Sequence, residues 1–334
     1  MATKPALSAS ELGTLWMTYQ QKTMVARMLD YFIEKSDDDK AKEIMGNLQN
    51  DIQLFIDKLI TLFEEEKAVI PVGYTKSDVH VNAPKLYDQD FDIHFVRVMK
   101  AISMGMHSLH LCMGYRPDIM QLYIDLTAMT QKYYIQATTF LLERGTLIKP
   151  PHITMPNEVE FATNQDYLRG IKIMGDKRPL NSVEVAHLYH AIENNIVGAN
   201  LIMGFAQVSQ NNDIEKYFNR GKDLAKNLVK SFTKILAEDE IPVPAAEGGT
   251  ITDSTTPPFS DKIMMYCTSL LCSFSLGSNA FGTSFSLRND IPPSVFLALK
   301  DVFDYATDGA KLMVKHGWLE EPPQMIDRKK MISK

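Results

Sequence analysis

The 334 residues carry 35 Lys and Arg against 41 Asp and Glu, a net charge of −6 that excludes the basic excess phosphate-backbone binders use. Hydrophobic residues make up 45% and charged residues 23%, with 17 Gly and 16 Pro, which excludes disordered, collagen-like and low-complexity classes. The first ten residues hold no apolar stretch of signal-peptide type, and the cysteines Cys112, Cys267 and Cys272 make no disulfide framework, so a reducing, cytoplasmic setting is the expectation.

An internal repeat organises the chain. A shift of 172 residues carries Arg116-Pro117-Asp118-Ile119 onto Arg288-Asn289-Asp290-Ile291, and Gly145–Pro151 onto Gly317–Pro323. A shift of 173 carries Leu7, Glu11, Leu15 and Phe32 onto Leu180, Glu184, Leu188 and Phe205. Ile70-Pro71-Val72 meets Ile241-Pro242-Val243 at 171. An offset that steady is the mark of a tandem duplication. It predicts one unit at 7–151, a linker at 152–179, a second unit at 180–323 and a tail at 324–334.

Each unit reads as four helices. Ser8-x-x-Glu11 and Asn181-x-x-Glu184 are capping-box patterns that open helix 1. The polar turns Ser36–Asp39 and Ser209–Asn212 separate it from helix 2, which runs to about Glu66 and about Asp239 before Pro71 and Pro242. An aperiodic stretch follows, and helix 3 is predicted over roughly 89–113 and 260–286. Helix 4 starts after a short connection with Asp118 or Asp290 as cap. Gly145 or Gly317 closes it, backed by Pro-Pro pairs. Short, long and short connections predict an all-α chain, a tandem duplication of a ferritin-like four-helix bundle with a long crossover between helices 2 and 3. Phe161, Tyr167, Leu168 and Ile171 suggest a linker that packs.

Helix 3 of the second unit is uncharged over 25 residues, Ile263 to Leu287, long enough to cross a bilayer. Its hydroxyls and two glycines argue instead for a helix buried on most of its circumference, and no membrane span is expected. Gly105 and Gly277 occupy equivalent positions where a neighbouring helix could approach closely.

Three strings carry a resemblance: Pro257-Pro258-Phe259-Ser260-Asp261-Lys262-Ile263-Met264-Met265, Gly317-Trp318-Leu319-Glu320-Glu321-Pro322-Pro323, and Arg178-Pro179-Leu180-Asn181. Over essentially its whole length the chain resembles an uncharacterised tandem ferritin-like family of endospore-forming Firmicutes. Some members carry a provisional spore coat label, and the coat protein F family of helical bundles is related. The resemblance implies the fold already derived and no known activity.

Ferritin-like bundles that do redox chemistry hold two metal ions with a Glu on each of two helices and Glu-x-x-His on each of two others. The chain has one forward match, Glu184-Val185-Ala186-His187, whose Glu is already explained by the capping box. Asp301, Asp304 and Asp308 share a face of helix 4, but it lies opposite the apolar stripe Leu299, Val302, Phe303, Ala306, Ala310 and Met313, which places them in solvent. His187, His190 and Glu193 rotate away from one another around helix 1 of the second unit, both histidines off the buried stripe, with Glu193 the better candidate for a partly buried acid. His107 and His110 share one side of a buried helix 3, and their counterparts are Asn279 and Gly282. Metal candidates are thus His107, His110, His190 and Glu193, all weak beside the plain reading of neutral histidines bonded to backbone or water.

Cys267 and Cys272 are five apart on one helix, beyond disulfide reach, and all three thiols are expected free. Met99, Met104, Met106, Met113, Met120 and Met129 read as core filling. No catalytic residue and no cofactor is predicted, with iron or manganese as the alternative. The expected role is a non-enzymatic structural or interaction protein, spore-associated, with a protein partner or self-association and no nucleic acid. The alternatives are an atypical metal-dependent oxidase and a binder of an apolar small molecule between helices.

Overall fold

A computed structural model describes residues 5–147, 149–170, 177–243 and 249–332. It is mostly helical. In the first half α1 (Ala9–Lys35) packs on α2 (Asp39–Glu65), and α3 (Phe91–Leu111) on α4 (Pro117–Arg144). The second half repeats the pairs with α5 (Ser182–Val208) on α6 (Asn212–Ala237) and α7 (Asp261–Ser284) on α8 (Ile291–Lys315). A short α9 (Arg328–Ile332) follows in the tail. Helix 3 is thus a little shorter at both ends in each half than the sequence suggests.

The caps explain most helix starts. Both capping boxes form, at Ser8–Glu11 and Asn181–Glu184, and Gly145 closes α4 at φ 72°. The start of helix 4 differs from expectation. Arg116 is the cap residue of α4 and Asp118 lies inside the helix, while Asp290 holds the cap position of α8 without capping it. Both aspartates bond an arginine two residues earlier instead, Arg116 and Arg288. Burial follows helical periodicity, as in α2 (Ala41, Ile44, Leu48, Ile52, Phe55, Leu59, Phe63) and in α6 (Ile214, Tyr217, Gly221, Ala225, Leu228, Phe232, Leu236). The two stripes are related residue for residue by the 173 shift.

Side-chain contacts set the polarity of the helices. Ser10 at the start of α1 reaches Met113 O beyond the end of α3 (3.1 Å), and Gln21 reaches Ser103 (2.8 Å), so α1 and α3 run antiparallel. Lys40 meets Glu143 (2.7 Å), Tyr133 meets Asp51 (2.6 Å) and Arg116 meets Glu66 (2.6 Å), so α2 and α4 are antiparallel as well. Since α3 and α4 form a hairpin, α2 and α3 run parallel, as a long crossover requires. In the second half, Ser209–Asp261 (3.0 Å) and Lys315–Asp213 (2.5 Å) repeat these relations.

The two crossovers meet. Strand β1 (Tyr87–Asp88) pairs antiparallel with β2 (Thr250–Ile251), and Val79 bridges Phe259. His80 N–H donates to Pro258 O (2.8 Å) and Thr252 N–H to Leu86 O (2.9 Å). The 172 shift exchanges these partners: Val79 with Ile251, Tyr87 with Phe259, His80 with Thr252. The seam is therefore self-complementary, like an isologous dimer contact held within one chain. Phe32, Phe91 and Phe95 cluster behind it, and Phe205 packs on Phe259 at 6.3 Å.

Several expectations are corrected. Two of the linker residues expected to pack are open to solvent, Phe161 at 83% and Leu168 at 44%. Tyr167 does make contact, lying under the Arg178 guanidinium (4.3 Å), and Ile171 lies outside the described residues. The buried positions of α7 concentrate between Ile263 and Cys272, with only Gly282 and Thr283 beyond, and Phe281 and Phe285 face outward. Gly105 and Gly277 have open space around them, with nothing within 4 Å of an added Cβ, so no neighbouring helix packs closely there. In α8 Tyr305, not Phe303, continues the buried stripe, and Ala310 is exposed. Met99 and Met129 fill the core, whereas Met113 is exposed and Met104, Met106 and Met120 are half-buried.

Candidate functional site

The acid that opens helix 1 serves the same purpose in each half. Glu11 Oε2 accepts the Ser8 N–H (2.9 Å), and Oε1 accepts the backbone N–H groups of Tyr115 (2.9 Å) and Arg116 (2.8 Å). Glu184 accepts from Asn181 (3.0 Å), Leu287 (3.2 Å) and Arg288 (3.0 Å) in the same way. The buried guanidinium that follows reaches back to the end of helix 2, Arg116 to Glu66 and Arg288 to Asp239 (2.8 Å). It also bonds a carbonyl ahead of helix 1, Pro5 O or Arg178 O. Glu184 gains a bidentate partner in Arg178 (2.7 and 2.8 Å), where the first half has Pro5. Burial alone would raise these carboxyl pKa values, but the converging N–H groups outweigh it and hold Glu11 at about 2. Glu184 is lowered too, with Arg178 assisting. Neither glutamate is left free to ligate a metal.

The middle of the first half is polar and basic. Along α3 the positions Ile93, Val96, Lys100, Ser103, His107 and His110 alternate three and four apart, which places the last four on the core-facing stripe. Lys22 falls on the stripe of α1 in the same manner, between Tyr19 and Ala26. Lys22 and Lys100 are 1% and 0% exposed, and His107 and His110 are buried with them. His110 Nδ1 lies 3.3 Å from the Thr18 hydroxyl, His107 Nδ1 lies 3.2 Å from that of Thr130, and Thr18 also meets Tyr123 (3.2 Å). Lys22 Nζ donates to Gln21 Oε1 (3.3 Å). Lys100 Nζ and His107 Nε2 have no partner among the described residues.

Burial disfavours the charged form of each of these bases. It lowers the Lys100 pKa to about 7 and that of His110 to about 4. Lys22 is pushed well below the usual lysine range by burial and by Lys100, and His107 is lowered by burial and by both lysines. A di-metal site needs converging carboxylates. This cluster offers lysine amines and imidazoles instead, and it does not fit such a centre.

The equivalent layer of the second half is small and uncharged. Lys22, Lys100, His107, His110 and Tyr123 correspond to Asn195, Cys272, Asn279, Gly282 and Val295. Where large side chains are replaced by small ones a void remains unless the helices close over it. A cavity of about 60 Å³ lies there, lined by Asn195, Gly198, Leu228, Cys272, Asn279 and Val302 among others. A smaller one of about 20 Å³ continues past Asn279 to His187 and His190.

The four candidate ligands fall into two separate places. His107 and His110 share the basic cluster of the first half. Glu193 forms an ion pair with Arg97 on α3, across the seam between the halves, and Arg97 also holds Thr138 (3.0 Å) and Tyr134 (3.0 Å). Burial raises the Glu193 pKa against the pull of Arg97. His190 is half-buried, with Nε2 on Asn194 (3.0 Å) and its ring edge-on to Phe274. Among the described residues no three His, Cys, Asp or Glu side chains are grouped to hold a metal ion. Asp301 and Asp304 are exposed, and Asp308 pairs with Arg220 and Lys311. All three cysteines are free.

Sequence periodicity contained the missed residues, Lys22 and Lys100: each sits at a core position of its stripe. Arg97 gave no comparable signal, because its partner lies in the other half. No helix among the described residues is long and apolar enough to cross a membrane.

A family model described as a protein of unknown function matches the chain twice, over residues 1–159 and 169–331. No curated protein matches. Among solved structures the chain is similar to that of BH2358 from Bacillus halodurans C-125, described provisionally as a spore coat protein. Identity is 16% and the TM-score 0.41, covering 45% of this chain and 98% of that one.

Proposed function

As this chain belongs to the DUF3231 family, whose function is unknown, we propose its role from its own geometry: a structural and interaction protein without a resident metal or cofactor. In this reading residues 7–151 and 180–323 are two ferritin-like bundles, joined by 152–179 and followed by the tail 324–334. The parallel course of α2 and α3 supports that topology. A cytoplasmic location rests on the three unpaired cysteines, and a spore association only on the sequence resemblance.

The observation that carries the interaction role is two pairs of exposed phenylalanines on the second half. Phe281 is 66% exposed and touches Phe285 edge-on at 5.0 Å, and Phe296 and Phe303, seven apart on α8, are each 61% exposed. Exposed large aromatics that cluster in this way mark contact surfaces. The test is sedimentation velocity over a range of concentrations. Wild-type protein should self-associate, and the triple variant Phe281→Ser, Phe296→Ser, Phe303→Ser should remain monomeric with unchanged helical circular dichroism. Monomers of both at every concentration would remove the support.

The cavity beside Cys272 favours a second reading, a small apolar molecule held inside the second half. Native mass spectrometry of gently purified protein should then show an added mass that Ala191→Leu abolishes. The oxidase alternative is tested by metal analysis after growth with added iron and manganese. Well under one ion per chain is expected, and two firmly held ions per half would overturn the proposal.

A further inference from the structure

The basic cluster of the first half has donors and no acceptor to match them. An ammonium group offers three N–H donors. Lys22 Nζ uses one, on Gln21, and Lys100 Nζ uses none. Both amines are enclosed, and no ion pair joins either to a carboxylate among the described residues. Glu11, the buried acid of α1, is saturated by backbone N–H groups. The second half folds with Asn195 and Cys272 at the same positions, so the fold itself does not demand buried bases there.

A buried ammonium without a counter-charge is expensive, and the cost is relieved by losing the proton or by taking in an anion. The surroundings suit the second outcome. The buried hydroxyls of Tyr123 and Thr130 lie beside the cluster and can turn to donate, while those of Thr18 and Ser103 already donate to Thr14 O and Met99 O. His107 Nε2 is a further buried polar atom of the cluster without a partner among the described residues. The geometry points to a site for one small monovalent inorganic anion, of halide size, between Lys22, Lys100 and His107. The site takes an ion able to shed its water, because Lys22, Lys100 and His107 are all at most 1% exposed.

Bromide is the probe. Thermal unfolding of the full chain is followed while bromide replaces gluconate at constant ionic strength. A ligand that binds only the native state stabilises it in proportion to the logarithm of its concentration. The melting temperature should rise by about 5 °C between 1 and 300 mM bromide. Lys100→Met should abolish the rise, as should Lys22→Asn, which the second half shows to be compatible with the fold. Crystals grown in bromide should give an anomalous peak within hydrogen-bond distance of both lysine Nζ atoms. The same bromide response in wild type and in whichever variant folds, or no peak at the lysines, would overturn the site.

Discussion

Arg116 donates its backbone N–H to Glu11 Oε1 at 2.8 Å, tying the start of α4 to the first turn of α1. Tyr115 N–H donates to the same oxygen, so one buried carboxylate organises two helix ends. Its pKa of about 2 lies below that of an unfolded-chain glutamate near 4.5. A depressed carboxyl pKa gives stability that is complete above the unfolded value and is lost as pH falls through the folded one. Urea unfolding should therefore show falling stability from about pH 5 to pH 2. Glu11→Gln should cost about 2–4 kcal/mol at pH 7 and flatten that acid limb. An unchanged acid limb in Glu11→Gln would show that Glu11 is not the titrating group.

Glu184 repeats the arrangement, and the two capping boxes were the most legible part of it in the sequence. The Ser/Asn-x-x-Glu pattern and the steady offset identified helix starts and units, because caps and repeats are local in the chain. The fate of Glu11 beyond its cap was not legible, since Tyr115 and Arg116 approach it only through the fold. Phe303 and Tyr305 show the same limit. Both are aromatic and two residues apart, and periodicity alone favoured Phe303. The structure buries Tyr305 because its ring stacks on Tyr217 of α6 at 4.2 Å, each ring over a glycine of the facing helix, Gly221 or Gly309. Lys22 and Lys100 lay on core stripes in plain view, but polarity argued against their burial.

Arg97 and Glu193 form the ion pair that crosses the seam, and burial makes it sensitive to loss of one partner. Arg97→Ala strands a largely enclosed carboxylate and should cost about 2–4 kcal/mol, less than the upper range because Glu193 is one-quarter exposed. The double variant Arg97→Ala, Glu193→Ala should recover part of that loss. Chemical denaturation of the two single variants and the double variant measures the coupling, and strict additivity would mean that the pair contributes nothing beyond its separate side chains.

The thiols should separate by reactivity. Cys112 is exposed, whereas burial raises the pKa of Cys272 to about 12 and shifts Cys267 further in the same direction. The thiolate is the reacting form, so Cys267 and Cys272 should resist a thiol reagent at pH 8 until the protein unfolds. One thiol per native chain and three per denatured, unreduced chain are expected in a colorimetric titration. Two or more in the native protein would show that the second half opens readily around Cys272.

Gly198 and Gly204 lie six residues apart on different faces of α5, and the same substitution should act on them with opposite sign. A Cβ at Gly198 would meet nothing within 4 Å and would project toward the cavity beside Cys272. Alanine there lowers the entropy of the unfolded chain, improves helix propensity and fills part of a void, a gain of about 1 kcal/mol. At Gly204 a Cβ would collide with the ring and hydroxyl of Tyr87. That ring cannot retreat, since Tyr87 stacks on Phe91 at 4.2 Å and its hydroxyl donates to Leu201 O at 2.7 Å. Gly204→Ala must therefore push β1 off the second half, and overpacking of that kind costs about 1–3 kcal/mol. Urea midpoints should rise for Gly198→Ala and fall for Gly204→Ala. Tyr87→Ala should remove the penalty in the double variant while lowering stability itself. Equal effects at the two glycines would mean that helix propensity alone governs α5 and that the crossover does not press on it.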